Sequence, residues 1–284
     1  MKKIFIMALG FLFGISSAQT NEKSLLWKIS GNGLKHHSYL YGTIHITCDS
    51  TLPEKVKNAL DKTDQLCLEL DMDDTTAQAE MMSGMMMKDG VTMQSLTSKE
   101  DFEIVDAFLT KNLGFSAKML NTLKPFMVSA ILYPRMISCE MQSVEGALIN
   151  ITKEQKEEMI GLETVTEQLN VFDTIPYQDQ MNELVKTAKS DLSRDVKELN
   201  EMLELYKTED IEALYAFTQQ SENVLTSQFD DELLNSRNQN WIARINKIAN
   251  EKATFFGVGA AHLGGEKGVI NLLRKYGFTV EPVH

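Results

Sequence analysis

The sequence predicts an α/β (α+β) fold, with a central, mostly parallel sheet built from both chain ends and a large helical insert between them. Three observations carry this. Short apolar runs bounded by glycine turns open and close the chain. A strand, helix, strand order near the start suggests a parallel crossover unit. Between them, over about residues 75–250, apolar residues recur every three or four positions among charges.

The elements follow in order. Residues 25–29 and 38–42 form a strand pair around the Gly31-Asn32-Gly33 turn signal. Pro53 starts a short helix whose inner face is Val56, Ala59 and Leu60. Residues 65–70 read as a buried strand ending in acids. Phe102, Val105, Phe108 and Leu109 have helical spacing, and Gly114 stops that helix. Pro125 opens another helix. A short strand near 158–163 interrupts the insert, and long amphipathic helices are expected over 177–206 and 210–250. The chain closes with a strand at 253–259, a helix at 268–276 ended by Gly277, and a strand at 278–280.

Forty acidic against 28 basic side chains, a net charge of −12, disfavours nucleic acid and anionic lipid as partners. Lys2 and Lys3, an apolar core over 4–15 and Ser16-Ser17-Ala18 read as an export signal. Residues 1–18 are therefore expected to be removed, leaving 19–284 as a single secreted or periplasmic domain with no transmembrane span. Cys48, Cys67 and Cys139 are odd in number and lack C-x-x-C spacing, so they are expected to be small buried hydrophobes rather than a disulfide framework. Met81, Met82, Met85, Met86 and Met87 form a methionine stripe, read as core or lid packing or as a substrate-contacting flap.

Two of the five histidines share a context. His45 and His262 each follow an apolar strand and a Gly-x-x-His segment, at opposite ends of the chain. The carboxyl ends of parallel strands face the crevice where α/β proteins bind ligands. Two imidazoles with one or two carboxylates suit a first-row divalent ion with open positions. His45, His262 and Glu69 are the candidate metal ligands, for Mn²⁺, Co²⁺ or Zn²⁺. Glu163, after a buried strand, is a candidate general base or further ligand. Arg237 is a candidate oxyanion or carboxylate clamp. Each has a plainer role open to it: Glu69 and Glu163 as helix-start acids, Arg237 as a surface ion pair.

The wording of several blocks resembles the TraB/GumN family, related to the Tiki-type metalloproteases. They are Leu26-Trp27-Lys28-Ile29, Leu40-Tyr41-Gly42-Thr43-Ile44-His45, Leu68-Glu69-Leu70-Asp71, Gly161-Leu162-Glu163-Thr164 with Glu167-Gln168, Arg237-Asn238, and Gly259-Ala260-Ala261-His262-Leu263 with Gly268-Val269-Ile270 and Gly277-Phe278. The resemblance implies a site of both histidines, an acid after the second strand and an arginine. It also implies a divalent-metal-dependent peptidase acting on a peptide or small protein. Glu145 stands where the family pattern leads one to expect Asp. Two further classes remain open: a non-catalytic peptide- or signal-binding protein of the same fold, and a metal-free hydrolase with a histidine base. Gly257-Val258-Gly259 mimics a dinucleotide fingerprint, but its third glycine position is His262.

Overall fold

The computed structural model describes residues 23–72, 74 and 77–284; the expected export signal lies outside the described residues. Leu26–Gly31 (β1) and Ser38–Thr43 (β2) pair antiparallel, with Leu26 opposite Tyr41 and Ile29 opposite Ser38. Their turn requires a left-handed backbone, and Gly31, Asn32 and Gly33 supply it at φ of 76°, 47° and 82°. Gln65–Leu70 (β3), Glu158–Glu163 (β4), Thr254–Gly259 (β5) and Phe278–Pro282 (β6) complete one six-stranded sheet, ordered β4-β3-β5-β2-β1-β6.

The four strands from β4 to β2 run parallel; β1 pairs antiparallel with β2, and β6 pairs antiparallel with β1 and so runs with the block. Every residue of β2 and five of the six in β5 are buried, as a strand covered on both faces demands. The chain ends thus build the sheet's centre together. In the β2–β5 register Gly42 lies beside Val258 and Thr43 beside Gly259, so both Gly-x-x-His segments leave the sheet at the same edge. β3 lies on the other side of β5 and carries β4, with Leu70 beside Glu163. Three parallel strand ends therefore deliver His45, His262 and Glu69 to one crevice, and the fourth places Glu163 at a neighbouring cavity.

Twelve α-helices surround the sheet among the described residues: Glu54–Leu60 (α1), Ala77–Gly84 (α2), Lys99–Leu113 (α3), Pro125–Ile131 (α4), Val144–Gln155 (α5), Val165–Thr174 (α6), Tyr177–Ser190 (α7), Ser193–Tyr206 (α8), Ile211–Gln219 (α9), Val224–Gln228 (α10), Ser236–Glu251 (α11) and Val269–Tyr276 (α12). α3 stops at Gly114 and α12 at Gly277, both left-handed, as their sequences predict. One apolar core lies against the sheet; a second, with Val105, Phe108, Leu109, Met181 and Leu184, holds the helical insert together. Ile46, the residue after His45, is buried in that second core, so the first motif's histidine sits at the seam between the two. No helix among the described residues is long and apolar enough to cross a membrane.

The long helices expected over 177–206 and 210–250 are broken. Asp191 and Leu192 adopt φ of 49° and 68°, a left-handed corner that turns α7 back into α8. The second stretch divides into α9, α10, a π-helical turn over Asp231–Asn235, and α11. A second correction concerns the cysteines. Cys48 and Cys139 form a disulfide with Cα atoms 5.7 Å apart, while Cys67 alone is a free buried thiol. Sequence separation hid that pairing: a β-bridge between Thr47 and Gln142 brings the two segments together. The methionine stripe is mixed. Met81 and Met85 pack beside Met127, Val165 and Leu169, Met87 joins the helical core, and Met82 and Met86 face outward.

Candidate functional site

Arg237 lies at the centre of the site. It starts α11 directly after the π-helical turn, an irregularity often found at functional positions. A guanidinium has five N–H donors, and all five are committed. Nε donates to Glu163 at 3.1 Å, and Nη2 to Glu163 at 2.6 Å and to Glu69 at 2.5 Å. Nη1 donates to the Leu233 carbonyl at 2.9 Å and faces His262 Nε2 at 3.2 Å. Its plane also lies 4.8 Å over the Trp241 ring.

His262 is buried, and its tautomer follows from its neighbours. Asn238 donates through Nδ2 to the carbonyls of His262 and Lys267, which turns its Oδ1 toward the ring. Nδ1 lies 2.6 Å from that oxygen and must carry the proton, leaving Nε2 to accept from Arg237. The ring is therefore neutral. Burial first, then the Arg237 charge, outweigh the pull of Glu69 and push its pKa down to about 3.

His45 is the opposite case. Its Nδ1 lies 2.7 Å from Glu145 Oε1, and 67% of its side chain faces the open cavity. Packing around the imidazole lowers its pKa, and the Glu145 carboxylate outweighs that, raising it to about 9. With most of the ring open to solvent, the acid at contact distance governs. Glu145 itself is held low: the imidazolium outweighs the upward push of burial.

Glu69 accepts from the Gly259 amide at 2.8 Å and lies 3.7 Å from His262 Nε2. Burial would raise its pKa; Arg237 and that amide outweigh it and hold the carboxyl well below the ordinary range. Both Glu163 oxygens are engaged, by Arg237, by Trp241 Nε1 at 3.1 Å and by Gln168 at 3.1 Å. It therefore buttresses Arg237 from behind. His45, Glu69, Arg237 and His262 line a cavity of about 270 Å³, and Glu163 lines a different one.

Gly259 forms the floor. A Cβ there would lie 3.4 Å from Glu69 Oε1, 3.6 Å from His262 Cδ2 and 3.8 Å from His45 Nε2. Three candidate ligands thus surround a space that one methyl group would fill. In donor chemistry the set suits a divalent ion, because both histidines have Nδ1 held by an oxygen partner, the outer contact that orients a metal-binding imidazole. The 3.7 Å between Glu69 and His262 is close to the roughly 3.4 Å expected of two ligands on one tetrahedral ion with ~2.1 Å bonds. The closed shell is not formed: among the described residues no three His, Cys, Asp or Glu side chains stand ready to hold a metal. The Arg237 cation takes up the facing lone pairs of Glu69 and His262 instead.

Glu145, Asn238 and Trp241 were not among the candidate site residues, yet each contacts one. Trp241 had a readable signal, four residues after Arg237 on one helical face, and Asn238 stood beside Arg237 in the Arg237-Asn238 block. Glu145 was marked only by the resemblance, as a departure from an expected Asp, and its contact with His45 depends on where α5 packs.

No solved structure matches the chain. A protein named metalloprotease TIKI homolog, from Nematostella vectensis, is 22% identical over 326 aligned residues that cover 94% of this chain and 69% of its own length. The family model described as TraB/PrgY/gumN matches residues 25–282, from the first strand to the last. Strand ends, glycine floor and both histidines all fall inside that match, and the chain belongs to the TraB/PrgY/gumN family.

Proposed function

We propose that the chain is an exported, divalent-metal-dependent hydrolase acting on peptide bonds, with His45, Glu69 and His262 as the residues that would hold the ion. One observation carries the reading: those three side chains face the same space over Gly259, at the wall of a cavity large enough for a peptide segment. Its likeness to a protein named as a metalloprotease supports the reaction class. The ion, when bound, would bring a water's pKa near 7 and polarise the scissile carbonyl. Glu145 fixes the His45 ring. Asn238 keeps His262 neutral with Nε2 toward the cavity. Arg237, buttressed by Glu163 and Trp241, supplies a fixed positive charge beside the reacting carbonyl. The Cys48–Cys139 disulfide supports the exported location that residues 1–18 predict, because such bonds persist in oxidising compartments.

Calorimetric titration of the protein with Mn²⁺, Co²⁺ and Zn²⁺, alongside His45→Ala and His262→Ala, tests this. We expect binding of at least one ion by the wild type, tenfold or more weakened in either variant, and metal-dependent cleavage within a peptide library. Binding of none, or equal binding by the variants, overturns it. A second reading is favoured by the full commitment of Arg237 to protein partners: the site holds a peptide without cutting it. Peptide binding that needs no metal, with the library left intact, would select that reading.

A further inference from the structure

The cavity that holds His45 and His262 does not end at them. Ile46, Tyr133, Met202 and Thr218 line it and also line a second cavity of about 200 Å³, so the two adjoin across a common wall. The second cavity lies between α8 and α9. Its floor is Met136, Leu199 and Phe217, and Asp195 and Glu198 stand at its margin with no Lys or Arg in the lining.

The chemistry of these walls selects an occupant. About 200 Å³ corresponds to roughly six or seven waters by their share of liquid volume. Waters held against Met136, Leu199, Met202 and Phe217, away from the polar side chains of Asp195, Glu198, Asn223 and Thr226, have few hydrogen-bond partners, and an apolar group that displaces them gains. The margin excludes anions. Asp195 receives Arg194 on one oxygen only, and its other oxygen is buried without a hydrogen-bond partner. Glu198 accepts from the Ser221 hydroxyl, and burial raises its pKa. A carboxylate entering here would meet two acids and no cation on the wall.

We propose that this second cavity is the specificity pocket of the site. It takes one uncharged apolar side chain, of leucine, methionine or phenylalanine size, from a peptide whose adjoining backbone lies beside His45 and Arg237. This rests on the hydrolase reading for the cleavage step and on the cavity alone for binding. The shared wall commits the occupant: a peptide whose side chain fills the second cavity lays its adjoining backbone along Ile46, the residue after His45. Thr218 stands on that shared wall, half-buried on α9 and lining both cavities.

The test uses protein labelled with ¹³C at methionine methyls, with Met136 and Met202 assigned by Met136→Leu and Met202→Leu. N-acetyl-leucinamide, N-acetyl-glycinamide and N-acetyl-aspartamide are titrated in turn. We expect the leucine probe to shift both methyls and to bind at least about tenfold more tightly than the glycine probe, with no response to aspartate. In Thr218→Trp, which fills the second cavity from its shared wall, the leucine response should fall at least tenfold. Unmoved Met136 and Met202 methyls at saturating leucinamide overturn the proposal, even where peptides are cut. Shifted methyls with leucine peptides left uncut uphold the pocket and overturn the hydrolase reading instead. Cleavage that favours leucine over glycine next to the scissile bond, together with the shifts, supports both.

Discussion

His45 and Glu145 meet at 2.7 Å because two loops are laced together on either side of them. The Val144 amide donates to the Ile44 carbonyl at 3.1 Å, and Thr47 and Gln142 exchange both backbone hydrogen bonds at 2.9 Å. One residue past Thr47 the Cys48–Cys139 disulfide ties the same two segments covalently. Ser143 then caps α5 by accepting from the Gly146 amide, which aims Glu145 from the first helical turn. A carboxylate placed by a helix start, a β-bridge and a disulfide leaves the imidazole little freedom.

Removing the charge alone isolates that contact. Glu145→Gln keeps the shape of the side chain and withdraws the group that raises the His45 pKa to about 9. His45 should then titrate well below 9, at or under its ordinary value, in NMR of ¹⁵N-labelled histidine. A pKa that stays near 9 would mean that Glu145 is not the cause.

The disulfide closes a loop of 91 residues, for which the chain-entropy account gives about 4–5 kcal/mol and measured bridges give about 2–5 kcal/mol. Cys48→Ser with Cys139→Ser should lower the free energy of unfolding by a few kcal/mol in urea. The same variant should reduce the His45 shift partway toward that of Glu145→Gln. Stability loss with His45 unchanged would assign the bond to the fold alone.

The two histidines give opposite pH dependences. In the unfolded chain each has a pKa near 6.5. His262, held down to about 3, stays neutral when folded, so its contribution is present above 6.5 and is lost as pH falls toward 3. One such proton corresponds to about 1.4 kcal/mol per pH unit. His45, raised to about 9, contributes fully below 6.5 and loses that contribution as pH rises toward 9. Stability of the metal-free protein should therefore peak near neutral pH. In His262→Gln the slope between pH 6.5 and 5, above the range where most carboxylates titrate, should flatten; an unchanged slope would refute the neutral, buried assignment.

Much of this was legible in the sequence where local chemistry and position coincide. The strand runs at the two chain ends, their glycines and the histidines three residues on were enough to anticipate one sheet and one crevice. The left-handed corner at Asp191 and Leu192 was not, because leucine rarely adopts positive φ and tertiary packing must impose it. The same holds for the site's outer contacts. Glu69 and the histidines come from strand ends whose register brings them together, whereas Glu145, Asn238 and Trp241 come from helices, and their approach depends on how those helices pack. The commitment of all five Arg237 donors could not be read from Arg237-Asn238 at all.

Gly259 offers the sharpest test of the shared space. Its φ of −52° and ψ of 134° are ordinary for any residue, so alanine introduces no backbone strain. Its amide bond to Glu69 would also survive, since that bond uses the backbone. The added methyl would sit 3.4 to 3.8 Å from Glu69, His262 and His45, at contact distance without a clash. Gly259→Ala should therefore unfold within about 1 kcal/mol of the wild type, while affinity for the preferred divalent ion falls at least tenfold and any peptidase activity falls with it. Gly42→Ala is the contrasting control: its Cβ would come within 2.7 Å of Leu263 and 3.1 Å of Ala260, so it should lose stability first. Wild-type metal affinity in a folded Gly259→Ala protein would show that the ion, if bound, does not lie among these three side chains.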